Sequence, residues 1–272
     1  MKISIIGLGF VGTAMLESFT KCKIPNITVY DKYKNIGSFD ECLSSDIIFL
    51  ALPTPYNEKI SEYDKSAIFE TLEKLEACRY TGLIIIKSTV EPTSTESCSD
   101  NYKTLKIFHN PEFLTQRTAF DDFHNQSHIV IGYGKNCSHT DIDIIANFYL
   151  KYYPSAELSI VTSNESESMK IFANSFYAVK VQFFNELYLL CNAMNVDYDT
   201  VKNLMLKNNW INPMHTQIPG PDGKLSYGGA CFPKDTNALL KYMQKYSTPH
   251  KVLESTILER NEMRNDNVNI IN

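Results

Sequence analysis

Lys2-Ile3-Ser4-Ile5-Ile6-Gly7-Leu8-Gly9-Phe10-Val11-Gly12 opens the chain, and its two halves read differently. Ile3 to Ile6 is a short, largely apolar run, the pattern of a strand buried on both faces. Gly7-x-Gly9-x-x-Gly12 then leads into Val11–Lys21, whose spacing predicts an amphipathic helix. A glycine triplet alone occurs by chance; the strand before it and the helix after it give it meaning. Gly7 permits a tight turn, Gly9 lets a pyrophosphate approach the backbone, and Gly12 lets helix and strand pack closely. Phe10 and Val11, between the glycines at the head of the helix, complete the predicted cofactor turn. Asp31 ends the next predicted strand, nineteen residues past Gly12, where a carboxylate binds both ribose hydroxyls and repels a 2′-phosphate. The pattern predicts a dinucleotide site that takes NAD rather than NADP.

From this start, strand and helix signals alternate. Candidate strands are Lys2–Ile6, Ile27–Tyr30, Asp46–Leu52, Leu83–Lys87, Lys106–His109, Ile129–Ile131 and Leu158–Val161, with helices at Val11–Lys21, Lys65–Cys78 and Thr140–Tyr152. Such alternation predicts an α/β fold, a Rossmann-type parallel sheet with helices on both faces, over residues 1–162. Near Thr162 the pattern changes. Glu165 to Asn195 runs without Gly or Pro, enough for about 45 Å of helix. Met169, Phe172, Phe176, Val179, Phe183, Leu187 and Leu190 form one stripe, and Ile171, Val181, Phe184 and Leu189 add apolar groups elsewhere. A helix apolar nearly all round is expected to be buried. The prediction for residues 163–272 is therefore an all-helical domain built on this long central helix, with a Pro/Gly-rich loop from Asn212 to Gly229.

Composition narrows the class. With 272 residues and 43% hydrophobic content there is material for a sizeable core. A net charge of -5 and no Lys/Arg run argue against a nucleic-acid surface. No apolar stretch approaches the ~18 residues that cross a bilayer, and the N-terminus enters a strand directly. Seven cysteines without close pairs read as reduced thiols. These features together predict a cytoplasmic protein.

Three loops follow predicted strands on what would be one sheet edge, where open α/β sheets bind ligands. Leu52-Pro53-Thr54-Pro55 and Lys87-Ser88-Thr89-Val90-Glu91-Pro92 are expected to border the cofactor crevice through Pro53, Thr54 and Thr89. In His109-Asn110-Pro111-Glu112-Phe113-Leu114 the carboxylate of Glu112 can serve as a general base. Lys170 and Asn174 lie one turn apart on the long helix, and in an otherwise apolar helix they read as cleft groups able to steady an oxyanion. Tyr227-Gly228-Gly229-Ala230-Cys231-Phe232-Pro233-Lys234-Asp235 presents a cysteine on a glycine-rich turn before a helical run, Asp235 to Met243. The helix terminus and the neighbouring lysine both favour thiolate there. His124 and His128 have the i, i+4 spacing of a metal pair, but the residues between them are poorly helical and no third ligand suggests itself, so no metal is expected. Trp210 and the other six cysteines are expected to fill core.

Taken in order, these segments match a family. With Lys170-Ile171-Phe172-Ala173-Asn174, Phe184-Asn185-Glu186-Leu187 and the loop Pro219-Gly220-Pro221-Asp222-Gly223, they resemble the UDP-glucose/GDP-mannose dehydrogenase family across nearly the whole chain. The resemblance implies an NAD-dependent, four-electron oxidation of a nucleotide sugar at C6, most often UDP-glucose. It implies Cys231 as the nucleophile that captures the aldehyde, Lys170 and Asn174 as oxyanion stabilisers, and Asp235 as a group that positions water or assists proton transfer. Glu112 becomes the base for thioester hydrolysis and Thr89 a hydroxyl near sugar and nicotinamide. Glu112, Phe113, Leu114, Lys170, Asn174, Tyr227, Gly228 and Gly229 are implied to line the substrate, and a homodimer is implied through the helical domain.

The chain departs from the family pattern in three places. Gln116 stands where members usually carry a second glutamate, the stretch from Asp31 to Asp46 is short enough to lack a helix and a strand, and the sequence stops at Asn272 where members continue into a third domain. The last departure implies a weaker or less selective grip on the nucleotide. Two other readings remain: a two-electron dehydrogenase of the 6-phosphogluconate or 3-hydroxyacid type, and an NAD-binding subunit without turnover.

Overall fold

The computed structural model describes residues 1–264, 266, 270 and 271. Its chain divides into two compact units, Met1–Thr54 with Asp64–Lys170, and Pro55–Tyr63 with Ile171–Asn272. In chain order the elements are β1 (Ile3–Ile6), α1 (Phe10–Lys21), β2 (Ile27–Tyr30), α2 (Phe39–Cys42), β3 (Ile47–Leu50), β4 (Tyr56–Asn57), β5 (Glu62–Tyr63), α3 (Ser66–Ala77), β6 (Leu83–Ile86) and α4 (Ser94–Asn101). There follow β7 (Lys106–His109), α5 (Ala119–His124), β8 (His128–Tyr133), α6 (His139–Tyr152), β9 (Glu157–Thr162), α7 (Ser163–Ala193), α8 (Tyr198–Leu206), α9 (Phe232–Lys245), α10 (Lys251–Met263) and β10 (Ile270–Ile271).

In the first unit seven strands form one sheet in the order β2-β1-β3-β6-β7-β8-β9. The short apolar strands work because alternate residues serve opposite faces. Ile3, Ile5, Ile47, Phe49 and Ile85 join one core with Phe19 of α1, Phe123 of α5 and Phe148 of α6. Ile6, Ile48, Leu50, Ile84 and Ile86 join the other, against Leu72 of α3 and Cys98 of α4. The expected Rossmann-type sheet is present, with one exception to its parallel pattern. β7 and β8 run antiparallel and pair only through Phe108–Tyr133 and His109–Gly132. β8 is held instead along its length by a six-residue parallel ladder with β9. Between Asp31 and Asp46 only the single turn of α2 and an isolated bridge, Asp31 to Ile36, remain.

The second unit is mainly helical, with one addition that the sequence did not announce. β4 and β5 pair antiparallel, β10 joins β4 in parallel, and together they make a small three-stranded sheet. Tyr56 and Tyr63 of this sheet are fully buried with Ile171, Ala238, Leu239 and Leu240.

Three expectations about burial are corrected. The long helix is present, but Phe172, Phe176, Phe183 and Leu190 of the predicted stripe are 51–63% exposed. Its buried face instead carries Ile171, Asn174, Ser175, Ala178, Gln182 and Asn185. Polar groups are tolerated there because they find partners: Asn185 Oδ1 accepts from Ser226 N at 2.8 Å and Gln182 Oε1 from Ser226 Oγ at 2.5 Å. Trp210 is 89% exposed, since it sits in a polar turn after α8 where its own amide donates to Asn208 Oδ1. Of the six other cysteines, Cys42, Cys98 and Cys191 are buried, Cys22 and Cys137 are half-buried, and Cys78 is exposed at the end of α3.

Candidate active site

In the first unit the predicted residues gather along the carboxyl ends of the parallel strands. Gly7 follows β1 with φ +92°, a conformation that side chains other than glycine's rarely adopt. A Cβ on Gly12 would lie 1.9 Å from the Gly7 carbonyl oxygen, whereas one on Gly9 would meet nothing within 4 Å. Gly12 is therefore required by packing, and Gly9 leaves the head of α1 open. Because Ile6 is in register with Tyr30, Asp31 emerges beside this turn, and its Oδ2 accepts from Leu8 N at 2.8 Å. Burial pushes the Asp31 carboxyl up, but the amides of Leu8, Lys34 and Tyr33 and the charge of Lys34 outweigh it and hold the pKa low. Open backbone at a helix N-terminus with an ionised carboxylate beside it fits a dinucleotide's pyrophosphate and ribose. NAD⁺ is expected to bind at least tenfold more tightly than NADP⁺, about 1.4 kcal/mol. Parallel titrations giving equal affinities would remove Asp31 from that role.

The next two loops are tied together. Leu50 is in register with Ile86, so the segments beyond them run side by side. Ser88 Oγ donates to Leu52 O at 2.6 Å and Thr54 Oγ1 to Thr89 O at 2.8 Å. Thr54 and Thr89 are both buried, and Pro53 lies between the two tied positions.

Beyond β7, Glu112 is buried and its Oε1 stands 3.3 Å from Lys170 Nζ. Lys170 also donates to the Glu112 carbonyl, and its ammonium lies 5.2 Å from the Phe113 ring centroid. Leu114 N donates to Glu112 Oε2 at 2.6 Å, closing the loop on itself. Phe113 and Gln116 are exposed. Sequence reasoning missed Lys87, which is fully buried and donates to Asn110 Oδ1 at 2.8 Å. Burial pushes its pKa down to about 7, with Glu112 raising it and Lys170 lowering it. Tyr149 donates to the same oxygen of Asn110, and Asn110 Nδ2 donates to Val130 O. A lysine closing an otherwise apolar strand was the available signal. His109 is buried beside Ser166, its Nδ1 2.8 Å from the hydroxyl, and burial, then the nearby Lys87, depress it to about 3.

The two histidines weighed as a metal pair serve other contacts. His124 Nδ1 is 3.0 Å from Ser18 Oγ, and His128 Nε2 is 2.8 Å from Ser159 Oγ. His128 also stacks on Phe113.

In the second unit, Cys231 is half-buried and occupies the N-cap of α9, one turn before Asp235 on the same helix. That helix starts at Phe232, earlier than the predicted Asp235, because Pro233 fits its first turn. Asp235 is fully buried. Its Oδ2 accepts from Asn174 Nδ2 at 2.6 Å, and its Oδ1 from Lys234 Nζ and Tyr63 O–H, each at 2.5 Å. The lysine expected to favour the thiolate is thus directed at a carboxylate. Lys170 reaches Glu112, Asn174 reaches Asp235, and the boundary between the two units falls between them on α7.

The segment leading to Cys231 is pinned from α10. Arg264 donates to the carbonyls of Leu225 and Ser226 and to Asp222 Oδ2, and Arg260 donates to Tyr227 O. A Cβ on Gly228 would come within 2.3 Å of the Arg264 guanidinium, so a larger residue there would displace that side chain. Neither arginine was legible as a site residue.

Comparison with known proteins fits this geometry. Residues 32–152 match the NAD binding domain of the UDP-glucose/GDP-mannose dehydrogenase family, and residues 164–263 match the family's central domain. The chain belongs to this family. The cofactor is accordingly NAD. The chain is 28% identical over 302 residues to a UDP-glucose 6-dehydrogenase of Campylobacter jejuni, covering 97% of this chain and 72% of that protein. It spans about half the length of several other curated relatives. Among solved structures, a UDP-glucose dehydrogenase from Pyrobaculum islandicum shares the fold with a TM-score of 0.79 at 24% identity, over 96% of this chain and 68% of that one. The 3-hydroxyisobutyrate dehydrogenase of Mycobacterium tuberculosis also shares the fold, with a TM-score of 0.73 at 12% identity over 99% of this chain and 96% of that one. Among the described residues, no helix is long and apolar enough to cross a membrane.

Proposed function

We propose that the chain catalyses the NAD-dependent, four-electron oxidation of a nucleotide sugar at C6, with UDP-glucose as the substrate. The observation that carries this reading is the second-unit constellation: Cys231 at the head of α9, and one turn later a buried Asp235 held by Asn174. Bound NAD supplies the hydride acceptor, once per oxidation step. The remaining work falls to side chains. The Cys231 thiolate adds to the C6 aldehyde and forms a thiohemiacetal, whose oxyanion Lys170 and Asn174 stabilise. Loss of a second hydride leaves a thioester on Cys231. Asp235 orients the water that cleaves it, Glu112 accepts a proton from that water, and the products are the uronate and the restored thiol. Thr89 lies at the sugar and nicotinamide, and Phe113, Leu114, Tyr227, Gly228 and Gly229 line the sugar nucleotide.

NADH counted against sugar consumed tests the reaction, using a panel of UDP- and GDP-sugars. Two NADH per sugar with UDP-glucose is the expected yield. The second reading, a two-electron oxidation of the 6-phosphogluconate or 3-hydroxyacid type, needs no thiol and gives one NADH. No NADH with any sugar, alongside normal NAD⁺ binding, would favour a non-turnover subunit.

The same reading includes a homodimer through the helical domain. Phe172, Phe176, Phe183 and Leu190 expose apolar surface along one stripe of α7, and a groove of about 530 Å³ beside it is lined by Phe172, Phe176, Val179, Met243 and Val252. Exposed apolar stripes of this kind mark association surfaces. Phe176→Glu combined with Phe183→Glu is expected to convert a dimer into a monomer by light scattering. A wild-type monomer at micromolar concentration would rule the interface out.

A further inference from the structure

Tyr63 belongs to β5, a two-residue strand that leaves the first unit's stretch of chain and packs in the second. Opposite Tyr56 in the β4–β5 pair, with ring centroids 6.4 Å apart and edge-on, its ring fills the core beside Ile171, Ala238 and Leu239. Packing alone does not call for a tyrosine. Phenylalanine has the same ring without a hydroxyl to desolvate, and a buried hydroxyl costs stability unless it is hydrogen-bonded. Here the hydroxyl points at Asp235 and donates to Oδ1.

The carboxylate it meets is enclosed. Lys234 Nζ donates to the same Oδ1 while lying 4.3 Å from the Tyr63 ring centroid, a cation–π distance that locks phenol and ammonium together. Asn174 donates to Oδ2. The titratable groups shown against Asp235 among the described residues are therefore Tyr63 from β5 and Lys234 from α9; α7 contributes the neutral Asn174, and Cys231 lies one turn earlier on α9.

We propose that Tyr63 is a positioning residue of the active site, whose hydroxyl fixes the orientation of the Asp235 carboxylate. This rests on the role given to Asp235 above. With Oδ1 tied by two donors and Oδ2 by one, the carboxyl plane has a single orientation, and one lone-pair direction of Oδ2 remains for water. Loss of the Tyr63 hydrogen bond leaves Lys234 as the sole donor shown to Oδ1 and lets the plane rotate.

The test compares Tyr63→Phe with wild type in the full chain, following NADH with UDP-glucose. Expected are kcat about tenfold lower with KM and the NAD⁺ dissociation constant within about twofold. An unchanged kcat overturns the proposal. Asp235→Asn is measured in parallel. If it leaves uronate formation intact, the role given to Asp235 fails; if it abolishes uronate formation while Tyr63→Phe has no effect, only the Tyr63 inference fails. Should Tyr63→Phe not fold, 3-fluorotyrosine at position 63 decides, because its stronger O–H donor must change kcat while KM stays within about twofold. A kcat unchanged by the fluorine overturns the proposal equally.

Discussion

Cys231→Ala is expected to lower uronate formation by at least about 10⁴-fold while the NAD⁺ dissociation constant stays within about twofold. The size of the effect follows from covalent chemistry. Without the thiol no thiohemiacetal forms, and the second hydride can leave only from the hydrated aldehyde, which no covalent bond holds against the cofactor. Cofactor binding is spared because the thiol acts on the sugar carbon and not on the cofactor. The variant should also fold, since a half-buried thiol replaced by a methyl group leaves only a small void. Product analysis by mass spectrometry separates the readings. Aldehyde with one NADH per sugar would accord with a blocked second half-reaction. Unchanged uronate production would exclude Cys231 as the nucleophile.

Gly12→Ala is expected to weaken NAD⁺ binding by at least about a hundredfold, ~2.7 kcal/mol, and to lower the melting temperature. The added methyl would sit 1.9 Å from Gly7 O and 3.0 Å from Gly7 C. Both are backbone atoms of the turn, so no side chain can swing away, and α1 must move off β1. Overpacking of this kind typically costs 1–3 kcal/mol, and the displaced helix head no longer presents its amides to phosphate. Gly9→Ala supplies the contrast. Its methyl has open space in the protein, so the fold should persist and only the approach of the pyrophosphate should suffer. Calorimetric titration with NAD⁺, paired with thermal melts, distinguishes the two. Equal melting temperatures and equal affinities for both variants would contradict the close-packing account of Gly12.

Residues near one another in sequence made most of the first unit legible. Ile3–Ile6, Ile47–Leu50 and Leu83–Ile86 are apolar on both faces because helices cover both faces, and that leaves short near-continuous runs. The glycine turn is readable because the φ of Gly7 and the contact of Gly12 with Gly7 O arise within six residues, although Gly7 also packs against Ala51 O. Loops at the ends of successive parallel strands must share an edge, so Asp31, Thr54, Thr89 and Glu112 could be grouped before any coordinates. The cysteine at a helix start was likewise local.

What the sequence left open depends on partners far along the chain. Periodicity alone could not choose the buried face of α7, because apolar residues surround it. Hydrogen bonds from Asn174 to Asp235 and between Ser226 and Asn185 decide in favour of a face that looks more polar, and the phenylalanines are left outside. Lys87 ends an apolar strand, yet only the convergence of β6, β7 and α6 on Asn110 shows it buried and paired. Tyr63 gave no signal at all. A two-residue strand has too little periodicity to register, and the carboxylate that gives its hydroxyl a purpose lies 172 positions away. A chain's own pattern fixes which segments become strands and helices, since those choices rest on neighbours within a turn or two; which polar groups can be buried is settled only when tertiary structure supplies the donors and acceptors that replace water.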